Sequence, residues 1–583
     1  MPEQENRPYL SEVIDYDRDI APHQLIKIFA GVGSGKNTFV DNLAKGGVIK
    51  HADGTPVEKQ YILLITSRRA KVNEQLNSDV VVYDPSIGMF DNILSDWYAQ
   101  YDERYADYFE APTKELSDLD GWGGSRIFKR TCVNTNAKIE YNLKQHFHPN
   151  DSASHPWERF DMIVIDEVHA LLADASYQNA PFYVRRLIEE TKRRSVTCKI
   201  IVMTGSPQIL RNYALFDDAY CVDLMDTCRN IVPQRIEYIC KKDAIEKQTK
   251  MLRQRQPFVA FSNHIGDMFT ICKKQSGEIQ DGIAISFSDE ARRNIMKKEQ
   301  PLNYKKMCDT EKHLAQYQTL PAGIHAFLTT SRNKEGVNIK NEDFRTMFVE
   351  THDDIDIIQM TGRLRNPIET LYIITDSKPH PNLEDTNEQP FCKSETVLNA
   401  VNVYFQKLCQ SNNIDLTDPE GWHPVIHSVE PLGKFIDFIH NKFLYIRYDY
   451  FTDKFVYYQE REDSKAYYAE QQSLFQQASY SSARLIALTQ RWFPNVSCVV
   501  SVKCKGDVAE EIRKYLTANS WLDGKRNIHD VERTEILEQI NKITGGNYKT
   551  LAPALKDWGY LLNTNGKKKS SSSTITVLPE GEN

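Results

Sequence analysis

The sequence predicts an α/β protein with two successive parallel-sheet lobes and a separate C-terminal region. Three observations lead there. Short apolar runs recur between about residues 20 and 380, each ending abruptly in polar, acidic or glycine-rich residues, as buried parallel strands do at their carboxyl edges. A glycine-rich turn joins the first run to a helix-forming stretch. A polar, proline-containing segment, Asp376-Ser377-Lys378-Pro379-His380-Pro381-Asn382, closes the pattern and reads as a linker.

Bulk properties bound the reading. A chain of 583 residues predicts three or more folding units. Its 40% hydrophobic and 26% charged residues suit an ordinary soluble enzyme. No stretch approaches the roughly 18 apolar residues needed to span a bilayer, so no membrane partner is expected. The acidic, polar start lacks the basic and apolar parts of a secretory signal. Eleven cysteines are scattered with no CxxC pair, which argues against a disulfide framework or zinc cluster and predicts a reducing, cytoplasmic setting. The net charge of −8 announces no polyanionic partner, so a surface for one must be a local basic channel.

The first informative element is the β-rich run His23–Phe29, which flows into Ala30-Gly31-Val32-Gly33-Ser34-Gly35-Lys36-Asn37-Thr38 and a helix-forming stretch. Strand, glycine turn and helix make the context of a phosphate-binding loop. Gly31, Gly33 and Gly35 let the backbone curl so that the N–H groups of residues 31–36 face one concavity, with Lys36 reaching over the β- and γ-phosphates of ATP. The slot after the lysine usually carries Ser or Thr as a magnesium ligand. Here it is Asn37, whose amide oxygen is a competent hard ligand, and Thr38 follows; either can take the metal.

The second is Phe160-Asp161-Met162-Ile163-Val164-Ile165, followed by Asp166-Glu167-Val168-His169. A buried parallel strand that delivers two carboxylates at its C-terminal edge puts charge where ligands sit in open α/β sheets. Asp166 is predicted to hold magnesium and Glu167 to polarise the water that attacks the γ-phosphate.

These four residues resemble the DEAD/DEAH-box signature of superfamily 2 helicases and translocases, here in a DEVH form. The order of later segments is similar too. The resemblance implies two tandem RecA-like lobes, ATP and magnesium as cofactors, and a nucleic-acid partner. Thr204-Gly205-Ser206, after the strand Lys199–Met203, resembles the motif that couples the ATP site to the nucleic-acid path, so His169, Thr204 and Ser206 are expected to couple. Ser67, Arg68 and Arg69, after Tyr61–Ile65, are placed like a motif gripping the strand backbone, with Asn134 and Thr135 a second such candidate.

In the second lobe, Pro257–Asn263 resembles the opening strand. His325–Thr330 followed by Glu335-Gly336-Val337-Asn338 resembles the fifth motif. It implies that Thr329 and Thr330 face nucleic acid, that Gly336 allows close backbone approach, and that Asn338 reaches towards ribose or the opposite lobe. Gln359-Met360-Thr361-Gly362-Arg363-Leu364-Arg365-Asn366 resembles the sixth motif, which brings Gln359 and an arginine finger to the γ-phosphate on lobe closure. The family spacing would put a second arginine at Asn366, so Arg363 and Arg365 both stand as finger candidates. The GRLR form is closer to herpesvirus origin-binding and mobile-element helicases.

Beyond the linker the family resemblance ends. The aromatic stretch from Phe435 to Tyr468 reads as a small-domain core; stacking of its interleaved Tyr, Arg and Lys on bases is the alternative. Asp530–Ile543, then GGNYKTLAPALKDWGYLL, then a strand pair about Asn565-Gly566 resembles a winged helix, with Lys567, Lys568 and Lys569 at its hairpin.

The expected domains are a 1–20 extension, lobe 1 over 21–230 with an insertion near 97–130, and lobe 2 over 231–378. An accessory C-terminal domain over 379–525 follows, then a winged-helix-like segment and tail over 526–583. The expected function is ATP-driven movement along nucleic acid, DNA favoured over RNA, with unwinding. Partners in replication, repair or defence are expected. The alternative is a nucleotide-dependent binding switch that recognises an origin or partner without unwinding.

Overall fold

The computed structural model describes residues 7–58, 60, 62–66, 82–83, 131–148, 155–175, 178–210, 213–262, 265–272, 279–287, 290–330, 338–376, 394–416, 424–522, 524, 526–565 and 572–578. The candidate positions Ser67, Arg68, Arg69 and Gly336, the insertion near 97–130 and the lysines 567–569 lie outside them. So do the side chains of Asn134 and Thr135.

In the first lobe, strands β1 (Leu25–Phe29), β2 (Ile62–Thr66), β3 (Val82–Tyr83), β4 (Thr131–Thr135), β5 (Met162–Asp166), β6 (Lys199–Thr204) and β7 (Tyr220–Asp223) form one sheet in the order β3-β4-β2-β5-β6-β1-β7. Its pairings are parallel, with Leu25 opposite Ile200 and Ile163 opposite Ile200 in register. All five residues of β2 and of β5 are buried, which is why these runs are apolar throughout instead of alternating. Helix Lys36–Lys45 packs Phe39, Val40 and Leu43 on one face of the sheet. Helices Asn136–His146 and Ala180–Arg194 cover the other with Ile139, Leu143, Phe182, Leu187 and Ile188.

Strand β8 (Arg235–Ile239) follows. In the second lobe β9 (Phe258–Ser262), β10 (Ile283–Ser286), β11 (Ala326–Thr329), β12 (Thr346–Glu350) and β13 (Thr370–Ile374) lie in the order β10-β11-β9-β12-β13, again all parallel. The chain therefore contains two tandem RecA-like lobes. β1 and β5 deliver the glycine loop and the acidic pair at the carboxyl edge of the first sheet. Helix Asp354–Thr361, after β12, carries Gln359 and leads to Arg363.

By internal contacts the chain divides into two units. Residues 1–236 and 241–472 make the first; 237–240 and 473–583 make the second. The segment after residue 394 is thus grouped with the lobes as far as Gln472. Its helices Glu395–Ser411 and Glu430–Lys442 and the hairpin β14 (Ile446–Asp449) and β15 (Lys454–Tyr457) join the core of the first lobe. Phe405, Tyr448, Phe451, Phe455 and Tyr458 are buried there, the ring of Tyr458 lying edge-on to Phe182. The aromatic stretch builds core. Arg447, also buried, donates to the Asn179 side chain and to the carbonyls of Phe443 and Ile446.

In the second unit Glu237–Ile239 of β8 neighbours β16 (Ser497–Val500), and Tyr238 hydrogen-bonds Thr489 at 2.9 Å. Further on, helix Lys505–Ala518, a bridge from Ile528 to Ser573, helix Asp530–Thr544, helix Leu551–Lys556 and the antiparallel hairpin β17 (Tyr560–Asn565) and β18 (Ser572–Val577) follow in the order of a winged helix. Ile512, Trp521, Ile536, Ile540, Leu555 and Ile575 form its core. No helix among the described residues is long and apolar enough to cross a membrane.

Candidate active site

The glycine loop follows β1 without a break. Gly33 and Gly35 both have φ of +87°, a region that glycine enters freely and a side chain does not. A Cβ at Gly33 would meet Ile231 at 2.9 Å and the Arg365 guanidinium at 3.1 Å; one at Gly31 would sit 2.4 Å from Asn230. The loop is anchored from outside as well. Val32 N–H donates to Asn230 Oδ1 at 3.1 Å, and Ile231 N–H to the Val32 carbonyl at 3.1 Å.

Over this loop opens a cavity of about 630 Å³, within the range of about 300–1,000 Å³ usual for small-molecule sites. Residues 32–38, Asp166, Glu167, Asn338, Arg363 and Arg365 line it, so both lobes contribute. Lys36 is buried and turned inward, with Nζ 3.2 Å from the Ala30 carbonyl and 3.6 Å from Glu167 Oε1. Burial alone would raise the Glu167 carboxyl, but Lys36, His169 and Arg363 together hold it well below the usual carboxylate range. It is an anion at neutral pH.

The acidic pair is tied to the third motif through side chains. His169 Nδ1 lies 3.4 Å from Glu167 Oε2 and hydrogen-bonds Thr204 Oγ1 at 2.9 Å; Thr204 Oγ1 also accepts the Ser206 N–H at 2.9 Å. Gln359 crosses from the second lobe, donating through Nε2 to Glu167 Oε2 and to Ser206 Oγ, both at 3.2 Å. Arg363 holds that amide in place, donating to the Gln359 carbonyl at 2.9 Å and to its Oε1 at 3.2 Å. Arg365 donates to Asn338 Oδ1 at 2.6 Å. Gly362 closes the arrangement: a Cβ there would stand 1.9 Å from Val32 Cγ1, so the two lobes touch at a glycine.

The structure thus brings together Gly31–Thr38, Asp166, Glu167, His169, Thr204, Ser206, Asn338, Gln359, Arg363 and Arg365. Thr329 and Thr330 stand apart, buried at the end of β11, with the Thr329 hydroxyl given to the Ser286 carbonyl at 2.9 Å. Sequence reading missed Asn230, which braces the loop, and the pair Tyr9 and Arg229. The Tyr9 ring lies over Gly35 and its hydroxyl accepts from Arg229 at 2.9 Å, both side chains lining the cavity. No local motif marks these residues; only the fold brings Tyr9 to Gly35 and Asn230 to Gly31 and Val32.

The residues present fit a magnesium nucleotide. Side chains at Gly31, Gly33 or Gly35 would clash or strain the curled loop, and Asn37, Thr38 and Asp166 contribute hard oxygens to the lining of the cavity. Such a set matches an ion that keeps several waters and binds phosphates, not one caged by protein alone. Asp166, with Asn37 or Thr38, would hold it, and it would neutralise phosphate charge.

No model of a known protein family matches the chain, and no curated protein does. Among solved structures, the Mycobacterium smegmatis helicase Lhr bound to single-stranded DNA and AMP-PNP aligns at a TM-score of 0.40 and 10% identity, over 80% of this chain and 60% of that one. Dbp5 of S. cerevisiae bound to RNA and ADP BeF3 aligns at 0.36 and 11%, over 61% and 80%. The DUF1998 helicase MrfA bound to DNA and AMPPNP aligns at 0.35 and 12%, over 62% and 47%. The chain spans about 60% of the aligned Lhr chain's length.

Proposed function

We propose that this chain is a nucleic-acid-dependent ATPase that steps along a strand as its two lobes close and open, in the manner of a superfamily 2 helicase. The observation that carries this reading is Gln359, which reaches from the second lobe onto Glu167 and Ser206 of the first. A site that completes itself only across two lobes suits chemistry tied to closure.

In this reading the loop N–H groups and Lys36 bind the phosphates, and Lys36 exchanges its contacts with loop carbonyls for them. Glu167, held as an anion, orients and polarises the attacking water. Gln359 fixes Glu167, and Arg363 and Arg365 bring positive charge to the γ-phosphate. Thr204 relays the occupancy of the site from His169 to Ser206. The second unit would contribute nucleic-acid binding: residues 473–583 carry fifteen Lys or Arg against eleven Asp or Glu, on a chain of net charge −8. DNA is the favoured strand, unwinding the favoured outcome, and the cytoplasm the favoured setting.

Asn37 favours a second reading, a binding switch with slow turnover, because an amide replaces the usual hydroxyl beside the phosphates. ATP hydrolysis with and without single-stranded DNA, single-stranded RNA and duplex, beside a Glu167→Gln control, separates the two. Stimulation by one nucleic acid, lost in the control, supports the motor. Tight ATP binding without turnover in any mixture overturns it in favour of the switch.

A further inference from the structure

Helix Glu460–Ala478 makes contacts that the motor motifs do not explain. Its first turns are fastened to the first lobe. Glu460 pairs with Arg185 at 2.7 Å and accepts from Tyr213 at 3.2 Å. Arg461 donates to the Ala175 carbonyl at 3.1 Å, and Ser464 and Tyr468 donate to the Ala173 carbonyl at 3.4 and 3.0 Å. Ala173 ends the short helix that begins directly after His169. The same helix therefore grips the segment immediately downstream of the acidic pair.

One residue on it reaches the other lobe. The Tyr467 hydroxyl donates to Asp354 Oδ1. Asp354 is buried and lies in the first turn of the helix that ends in Thr361 and carries Gln359. A helical turn is stiff, and Asp354 and Gln359 are about 7.5 Å apart along the axis at 1.5 Å per residue. A restraint at one end is therefore felt at the other.

We propose that Tyr467 is a positioning residue for hydrolysis: tethered to the first lobe, its hydroxyl sets the helix that presents Gln359 and Arg363 to Glu167. The inference rests on the hydrolytic reading of that site. When the lobes part, this hydrogen bond must break, while those to Ala173 and Ala175 remain. Removing the hydroxyl strips a buried carboxylate of a donor only in the closed arrangement, so it disfavours closure.

The test uses the full chain with Tyr467→Phe, Asp354→Ala and the double substitution. Dyes placed through non-natural residues at Val196 in the first lobe and Leu302 in the second, 93% and 67% exposed, report lobe separation without nucleotide. Stimulated ATP turnover is measured in parallel. Tyr467→Phe keeps the ring packing, and we expect the closed-to-open ratio and kcat each to fall about tenfold, with KM for ATP little changed. The double substitution should be no worse than the worse single one. An unchanged dye distribution in Tyr467→Phe overturns the proposal, and so do losses that add. A parent chain without turnover refutes the hydrolytic reading alone, since the dye measurement still decides the role of Tyr467.

Discussion

Gly362→Ala places a methyl group at the point where the lobes touch. Its Cβ would lie 1.9 Å from Val32 Cγ1 and 2.6 Å from Val32 Cβ, whereas carbon atoms in contact keep about 3.5–4.0 Å. The residue has φ −69° and ψ −6°, a conformation alanine adopts freely, so no backbone strain enters. Val32 cannot simply swing away, because its N–H is held by Asn230 and its carbonyl by Ile231. The lobes must part instead. Overpacking of this kind costs about 1–3 kcal/mol, which lowers the closed population roughly five- to 150-fold. Steady-state ATP turnover under saturating nucleic acid reads that population, and kcat/KM should fall by the same factor. Val32→Ala in the same chain removes the atom at 1.9 Å and should restore part of it. Full turnover in Gly362→Ala, or a loss indifferent to Val32→Ala, would show that hydrolysis does not need this contact.

Other outcomes follow from the same site. Glu167→Gln removes the anion that faces Lys36 and should cut turnover by about 10²–10⁴-fold with ATP binding kept or tightened, as equilibrium titration with a fluorescent analogue would reveal. Asn37→Thr should lower the magnesium concentration that gives half-maximal turnover; if it does not move and Thr38→Ala raises it, Thr38 is the ligand. His440 bears on stability: its Nε2 accepts the Tyr448 N–H at 2.9 Å, and burial, then Arg447, push its value down to about 3. Protonation therefore favours the unfolded chain. Stability is complete above the unfolded value of about 6.5 and should decline, by something on the order of 3 kcal/mol, as pH falls towards 4. Urea midpoints across that window should slope less in His440→Gln, and equal slopes would remove His440 from the account.

The glycine loop and the acidic pair were legible because each is a local device, a strand end whose neighbours in sequence are its neighbours in space. Gln359, Arg363 and Arg365 were legible by order and spacing, and Arg363 meets Gln359 four residues away, although nothing local says that Arg365 leans on Asn338. Arg229 and Asn230 were not legible, since they meet the loop only because β7 returns the chain beside β1, and Tyr9 was not, since it reaches the loop from the segment before β1. From sequence, residues 379–525 are expected to form an accessory domain after the linker. Within it, Phe451, Tyr458 and Tyr450 find their partners in Phe147, Phe182 and Tyr183, roughly 270 to 300 positions earlier, and hydrophobicity alone does not say which apolar face will receive another.

The four residues Glu237–Cys240 count with the second unit although the chain on either side of them counts with the first. Removing residues 473–583 by truncation would thus not excise a whole body. It would leave the edge of β8 bare of β16, strip Tyr238 of Thr489 and Glu237 of Ser501, and present a row of unpaired amides and carbonyls to other molecules. A shortened chain that aggregates would be reporting that orphaned strand rather than any failure of the motor to fold. Separating the two bodies cleanly calls for a cut that replaces Glu237–Cys240 with a charged or proline-bearing edge.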